Sequence, residues 1–262
     1  MRRGVSGRPF RALYKAQRRM LGRASTGWMY PLLAVAGVAV IRFLLPEAYR
    51  ETASLLLAMF LALGMSVIAT AAVMHEKENG LLPAFYISGV KPWRYLLSRC
   101  CYAAVAALLS GCFVLWFGDP AVIRIEKGAV DWSALLQGNL PRLCMGAALM
   151  ILLSVCSVCL AMLPALMCET LGGYTFSGAV LAVLLCGPAA WDLLSPLPQG
   201  FLFHPAVLAG RLIRSPEMLT RRLTLEPLLM PLLSFALFAL LCLAIGRLCA
   251  GGLLHGKGGA SA

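Results

Sequence analysis

The sequence predicts an all-α, polytopic membrane protein, read as one transmembrane domain over residues 1–262 with no separate soluble domain. Three observations lead there. With 60% hydrophobic and 13% charged residues and a mean hydropathy of +0.82, the chain departs far from the roughly 45–50% apolar and about 25% charged residues of soluble domains. Six apolar stretches approach the about 20 residues that a helix needs to cross a hydrocarbon core about 30 Å thick. The polar material between them is short, which leaves no room for an independently folding soluble unit.

The elements follow in chain order. Over residues 8–24, Phe10, Leu13, Tyr14, Gln17, Met20 and Leu21 recur at helical spacing, while Arg11, Lys15, Arg18 and Arg19 fill much of the opposite circumference. That pattern predicts an interfacial helix anchored by its cations to an anionic leaflet, so membrane lipids are its expected partners. The predicted spans run over about 28–46, 53–74, 95–117, 143–167, 174–192 and 228–249. The second carries no charge at all, so nothing opposes its insertion. The fifth contains Gly187-Pro188 and ends at Asp192, which leaves a five-span arrangement as the alternative. Residues 250–262 are rich in glycine and predict a flexible tail.

Basic residues near the span ends set the orientation. The segment before the first span carries Arg2, Arg3, Arg8, Arg11, Lys15, Arg18, Arg19 and Arg23 with no acid, which predicts a cytoplasmic N-terminus in the plasma membrane. Six spans return the C-terminus to the same side. Arg211, Arg214, Arg221 and Arg222 then fall on the outer side, against the trend. Because the basic residues cluster at span ends, the net charge of +12 reads as an orientation signal and not as a nucleic-acid arm.

Composition also bears on function class. No span centre carries Asp, Glu, Lys, Arg or His, which argues against ion-coupled carriers and intramembrane hydrolases and favours apolar or amphipathic cargo such as a drug, lipid or peptide. No catalytic residue and no metal site is predicted. Cys156-x-x-Cys159 lies mid-span without a second pair, so it reads as packing, like the other eight cysteines. The run Gly251 to Gly258 nearly spells a phosphate-binding loop, but Gly258 stands where Ser or Thr must reach magnesium, and no strand precedes it. The chain is therefore expected to bind no ATP and to hold no cofactor. Ala103, Ala107 and Gly111, four apart on the third span, allow close helix approach, whether within the chain or at a subunit seam.

Two loops hold the polar residues that bear on function. Between spans two and three the chain reads His75-Glu76-Lys77-Glu78-Asn79-Gly80-Leu81-Leu82-Pro83-Ala84-Phe85-Tyr86-Ile87. Acidic residues ahead of Leu81, Leu82, Phe85 and Tyr86 predict a short amphipathic helix at the membrane surface. Before the last span, Pro196, Pro198, His204 and Pro205 break the chain into short half-helices suited to closing the outer mouth of a pathway. His204 is either a proton sensor or an ordinary interfacial residue.

The first of these loops resembles the cytoplasmic loop of type-2 ABC transporter permeases, whose pattern is Glu-x-Glu-x-Gly-Thr-Leu, a hydrophobic turn and a basic lead into the next span. Glu76, Glu78, Gly80 and Leu82 occupy the matching places, with Lys91 and Arg94 following. Leu81 stands where Thr is usual, and Pro83 predicts a short or kinked helix. The Leu44-Leu45-Pro46-Glu47 turn and the segment from Phe203 to Leu208 are similar to small permeases of the drug and fluoroquinolone export type. The resemblance implies a coupling helix driven by a separate cassette ATPase, which would carry the ATP and magnesium. Glu76 and Glu78 would then pair with that subunit, Gly80 would allow close approach, and Leu81, Leu82 and Phe85 would fill its groove. A second permease, identical or not, is implied as well. The alternative is a non-transport assembly or regulatory protein that the loop merely anchors.

Overall fold

The computed structural model describes residues 26–118, 125–126, 129–130, 140–214 and 226–255. The predicted interfacial helix with Arg11, Lys15, Arg18 and Arg19 lies outside them. Within them the chain is helical: α1 (Thr26–Phe43), α2 (Glu47–Glu78), α3 (Leu81–Ile87), α4 (Pro92–Gly118), α5 (Leu140–Met167), α6 (Leu171–Leu194), a 3-10 helix (Gln199–Phe203), α7 (Pro205–Arg214) and α8 (Glu226–Leu254). A two-residue antiparallel pair joins Ile125 to Val130 and Glu126 to Ala129.

Among the described residues, four helices are long and apolar enough to cross a membrane, over Pro92–Gly118, Arg142–Met167, Gly172–Leu194 and Leu229–Leu254, so the chain is a multi-pass membrane protein by length and composition. The fifth apolar stretch, whose Gly187-Pro188 and terminal Asp192 left a five-span arrangement open, is one continuous helix with Pro188 inside it. In a bundle, neighbouring groups take up the backbone carbonyl that a proline leaves open. α1 spans 18 residues, apolar but for its first two and Arg42, with Pro31 inside it.

Packing divides into two apolar clusters, one toward each end of the bundle. Around α7, Leu55, Met59, Val114, Met150, Leu153 and Ile213 are buried together. Around α3, the buried set includes Met74, Leu82, Leu96, Met162, Tyr174 and Leu253. Ala103 and Ala107 are fully buried, and a Cβ on Gly111 would touch Met150 at 3.4 Å. The small-residue row therefore seats α4 against its own bundle.

The first residues of the tail predicted over 250–262 are helical instead. Gly251 and Gly252 lie inside α8, which continues to Leu254, with Leu253 and Leu254 buried. Glycine is a poor helix former, but here its bareness lets helices approach. A Cβ on Gly252 would lie 3.1 Å from the Leu166 side chain, and one on Gly246 would lie 2.9 Å from Cys159 Cβ and 3.1 Å from its Cα. The second contact meets backbone and cannot be relieved by a rotamer change. Gly246→Ala is therefore expected to destabilise the bundle by about 1–3 kcal/mol, the usual cost of overpacking. Gly251→Ala, which starts in open space, is expected to stabilise the bundle slightly, by up to about 1 kcal/mol. Thermal unfolding of the purified variants in micelles measures both.

Candidate functional site

The loop between α2 and α4 is built around one buried carboxylate. Glu76, in the last turn of α2, is 4% exposed. Tyr95 Oη donates a hydrogen bond to Glu76 Oε2 at 2.7 Å, and Arg99 Nη2 donates to Oε1 in an ion pair. Tyr95 and Arg99 sit four residues apart on one face of α4, so both reach the same partner. The Arg99 guanidinium also lies over the Tyr95 ring, 5.0 Å from its centroid. A buried charge is tolerated only when paired and hydrogen-bonded, and this arrangement satisfies both conditions. Beside it, Lys77 Nζ donates to the Cys168 carbonyl at 2.8 Å, just past the end of α5. The last turn of α2 is thus bonded to both α4 and α5.

α3 leaves this anchor through a left-handed turn. Gly80 has φ +65°, and its N–H donates to the Lys77 carbonyl at 3.1 Å. A Cβ on Gly80 would meet nothing within 4 Å, so glycine is needed here for backbone conformation and not for space. At the other end of α3, Gly89 (φ +75°) donates to Tyr86 O at 2.9 Å and Val90 to Phe85 O at 3.1 Å, the two bonds of a Schellman cap. Pro83 is the third residue of α3, where its missing N–H would have no helical acceptor, so it causes no break.

Of the residues that the sequence grouped as partner-facing, the structure turns some inward and some outward. Glu76 is committed inside the chain to Arg99 and Tyr95, which leaves it no charge to offer a second protein. Leu82 is buried and Phe85 half-buried, its ring 6.3 Å from that of Tyr95, so these two seat α3 on the bundle. Glu78 and Leu81 face outward, joined by Ala84 and Ile87, the last 84% exposed. Ala84 and Ile87 continue the row begun by Leu81 at helical spacing. Tyr86 packs on His255, ring centroids 4.7 Å apart, which joins α3 to the end of α8.

At the opposite end of the bundle, Pro196 and Pro198 are exposed, and Pro198 leads into the 3-10 helix. His204 follows, and Pro205 opens α7 at the first helical position. Although α7 has only 10 residues, eight of them are buried, Pro205 included. Arg211 holds it down. Its Nε donates to Asp192 Oδ2 at 2.9 Å and its Nη2 to Oδ1 at 2.5 Å, and Nη2 also bonds Leu197 O at 2.6 Å. Asp192 Oδ1 in turn accepts from Leu197 N at 2.8 Å. Hydrogen bonding to the Asp192 carboxylate raises the Arg211 pKa above its ordinary value.

A second ionic group closes the same end. Arg142 Nη2 donates to Glu51 Oε1 at 2.8 Å and its Nε to Ile213 O at 3.1 Å, with Arg214 at 3.8 Å from the same Glu51 oxygen. Arg211 and Arg214, which ran against the charge rule in the sequence, therefore have acids beside them. His204 is half-buried, its buried Nδ1 has no hydrogen-bond partner, and burial lowers its pKa.

Tyr95, Arg99, Asp192 and Arg211 are the polar residues that sequence reasoning passed over as site members. The available signal was modest: a Tyr-x-x-x-Arg pair entering one apolar run and an acid ending another. No family model, curated protein or solved structure matches the chain.

Two outcomes test this geometry. Glu76→Gln leaves the Arg99 charge buried without its counter-ion and is expected to cost about 3–5 kcal/mol. Adding Arg99→Met should restore most of the loss in chemical unfolding of micelle-bound protein. For His204 the folded pKa lies below the ordinary value, so the stability linked to its neutral form is complete above about pH 6.5 and is lost as pH falls through the folded value. Melting temperature should accordingly drop further between pH 7.5 and 5.5 in the unaltered protein than in His204→Gln.

Proposed function

We propose that this chain is the membrane subunit of an ATP-driven exporter of the type-2 ABC kind, moving an apolar or amphipathic compound out of the cell. On this reading α1 and α2 join the four long apolar helices to make six spans, both termini are cytoplasmic, and the membrane is the plasma membrane. ATP and magnesium belong to a separate cassette ATPase, and a second permease completes the pathway.

The observation that carries the reading is the mounting of α3. A seven-residue helix sits across the end of the bundle with Leu82 and Phe85 beneath it. Glu78, Leu81, Ala84 and Ile87 form a free outer face with one carboxylate beside three apolar or small side chains. Such a face suits a groove on another protein that is lined by apolar groups with a cation at one side. Glu78 is then the charged contact, and Leu81 and Ile87 are the apolar ones. Glu76 acts instead within the chain: through Arg99 and Tyr95 it carries a displacement of α3 to both α2 and α4.

The opposite end fits an outer closure. The half-helix α7 and the turn around Pro196, Pro198, His204 and Pro205 are held by the Asp192–Arg211 and Glu51–Arg142 pairs. Pairs of this kind can release and reform as helices shift.

Affinity purification of the tagged chain from its native membranes should bring down a cassette ATPase whose turnover rises with transported compound. Glu78→Lys should remove that stimulation while leaving membrane insertion intact. Isolation of the chain with no ATPase, or unchanged coupling in Glu78→Lys, would favour a non-transport assembly or regulatory role.

A further inference from the structure

Where α4 starts beside the last turns of α8, two recesses meet at one tryptophan. The outer one, about 310 Å³, is lined by Lys91, Pro92 and Trp93 from the start of α4 and by Arg247, Leu248 and Gly251 of α8. Arg247 and Gly251 are one turn apart and share a helix face. Lys91 and Arg247 pair with no acid among the described residues, and no acid lines the recess. The positive end of the 27-residue helix α4 adds to their field. Lys91 and Arg247 thus border one recess with no acid beside them, and their positive charge favours an anion at its mouth.

The inner recess, about 140 Å³, begins at the same Trp93 and is walled by apolar side chains, among them Leu96, Leu97, Cys101 and Ala104 of α4, Val155 of α5 and Leu243 of α8. From Trp93 to Ala104 the helix advances about 16 Å, close to the roughly 15 Å depth of one leaflet's hydrocarbon. Leu243 lies one turn before Arg247, so a single face of α8 lines both recesses. Trp93 is 46% exposed and Leu248 75% exposed, at the helix-end position where tryptophan marks the boundary between headgroups and acyl chains.

We propose that these recesses form one binding site for an anionic glycerophospholipid of the surrounding leaflet. Its phosphate lies between Lys91 and Arg247, and one acyl chain descends past Trp93 along the groove of α4, α5 and α8. A zwitterionic lipid presents the same phosphate but brings a cation of its own, for which the recess has no acid, so net-negative headgroups are preferred. The site rests on the membrane character of the chain alone and holds whether or not the chain is an exporter subunit.

Native mass spectrometry of the full chain in neutral detergent tests it, with dioleoyl phosphatidylglycerol, dioleoyl phosphatidylcholine and glycerol 3-phosphate each added separately. One phosphatidylglycerol per chain should be retained roughly tenfold more strongly than phosphatidylcholine, from the pull of two basic residues on an anionic headgroup. Lys91→Gln with Arg247→Gln should bring the two lipids level. Gly251→Phe, whose side chain starts in open space, should lower phosphatidylglycerol retention while leaving the charge unchanged. Arg94→Gln, close by but outside the recess, should leave retention as it was. Equal retention of both lipids by the unaltered chain would overturn the proposal. So would an equal loss in Arg94→Gln, or glycerol 3-phosphate binding as strongly as the whole lipid, which would make this a site for soluble phosphate esters.

Discussion

The arrangement of the α3 end depends on the requirement that a carboxylate hidden from water keep a cation and a hydroxyl beside it. Glu76 meets that requirement only if the end of α2 and the start of α4 hold one relative height. A slide of one helical turn, about 5.4 Å, would leave both charges buried and apart, at a cost of about 3–5 kcal/mol. Once the register is set, the entry and exit of α3 are fixed as well, because Gly80 follows Glu76 closely and Val90 closes the return. Tyr95 serves twice, binding the carboxylate through its hydroxyl and meeting Phe85 with its ring. Polar pairing and apolar seating of the short helix therefore reinforce each other.

Among the described residues, the charge pairs lie at the two ends of the bundle and the middle is left to close apolar contact. At the α3 end the pair is sealed, with Arg99 and Glu76 side chains almost wholly out of solvent. At the α7 end the pairs are partly open, with Arg211, Arg142 and Glu51 each retaining some exposure. A sealed pair resists rearrangement because breaking it strands a charge, whereas a partly wetted pair can exchange its partner for water. The physical chemistry thus makes the α3 end the stiff one and the α7 end the compliant one, a polarity set by burial alone.

The all-helical character and the four long apolar helices were legible in the sequence because a run of apolar residues about 20 long has few other uses. Much of the finer placement was not. Glu76 and Glu78 stand two residues apart, which on a helix puts them about 200° apart around the axis, so one enters the bundle and the other leaves it. Charge pattern cannot say which until the position of α4 is known. The same holds for Leu81, Leu82 and Phe85, since a seven-residue helix with almost uniformly apolar side chains carries no periodicity to mark its inner face. Gly251 and Gly252 read as a tail by intrinsic preference, and the approach of α8 to Leu166 overrode that preference. Asp192 and Arg211 were visible only as an acid ending one stretch and a base out of place after it, because residues 19 positions apart announce no contact until the fold brings them together.

The half-helix α7 also constrains the order of biogenesis. At 10 residues it rises only about 15 Å, too little to be threaded across the bilayer as a span in its own right. Glu51, Arg142 and Asp192 all precede it along the chain, so the acids that receive its arginines and the arginine that binds its Ile213 carbonyl are synthesised first. Its docking therefore draws on contacts from helices that are already made when it emerges, so it completes a surface and does not nucleate one.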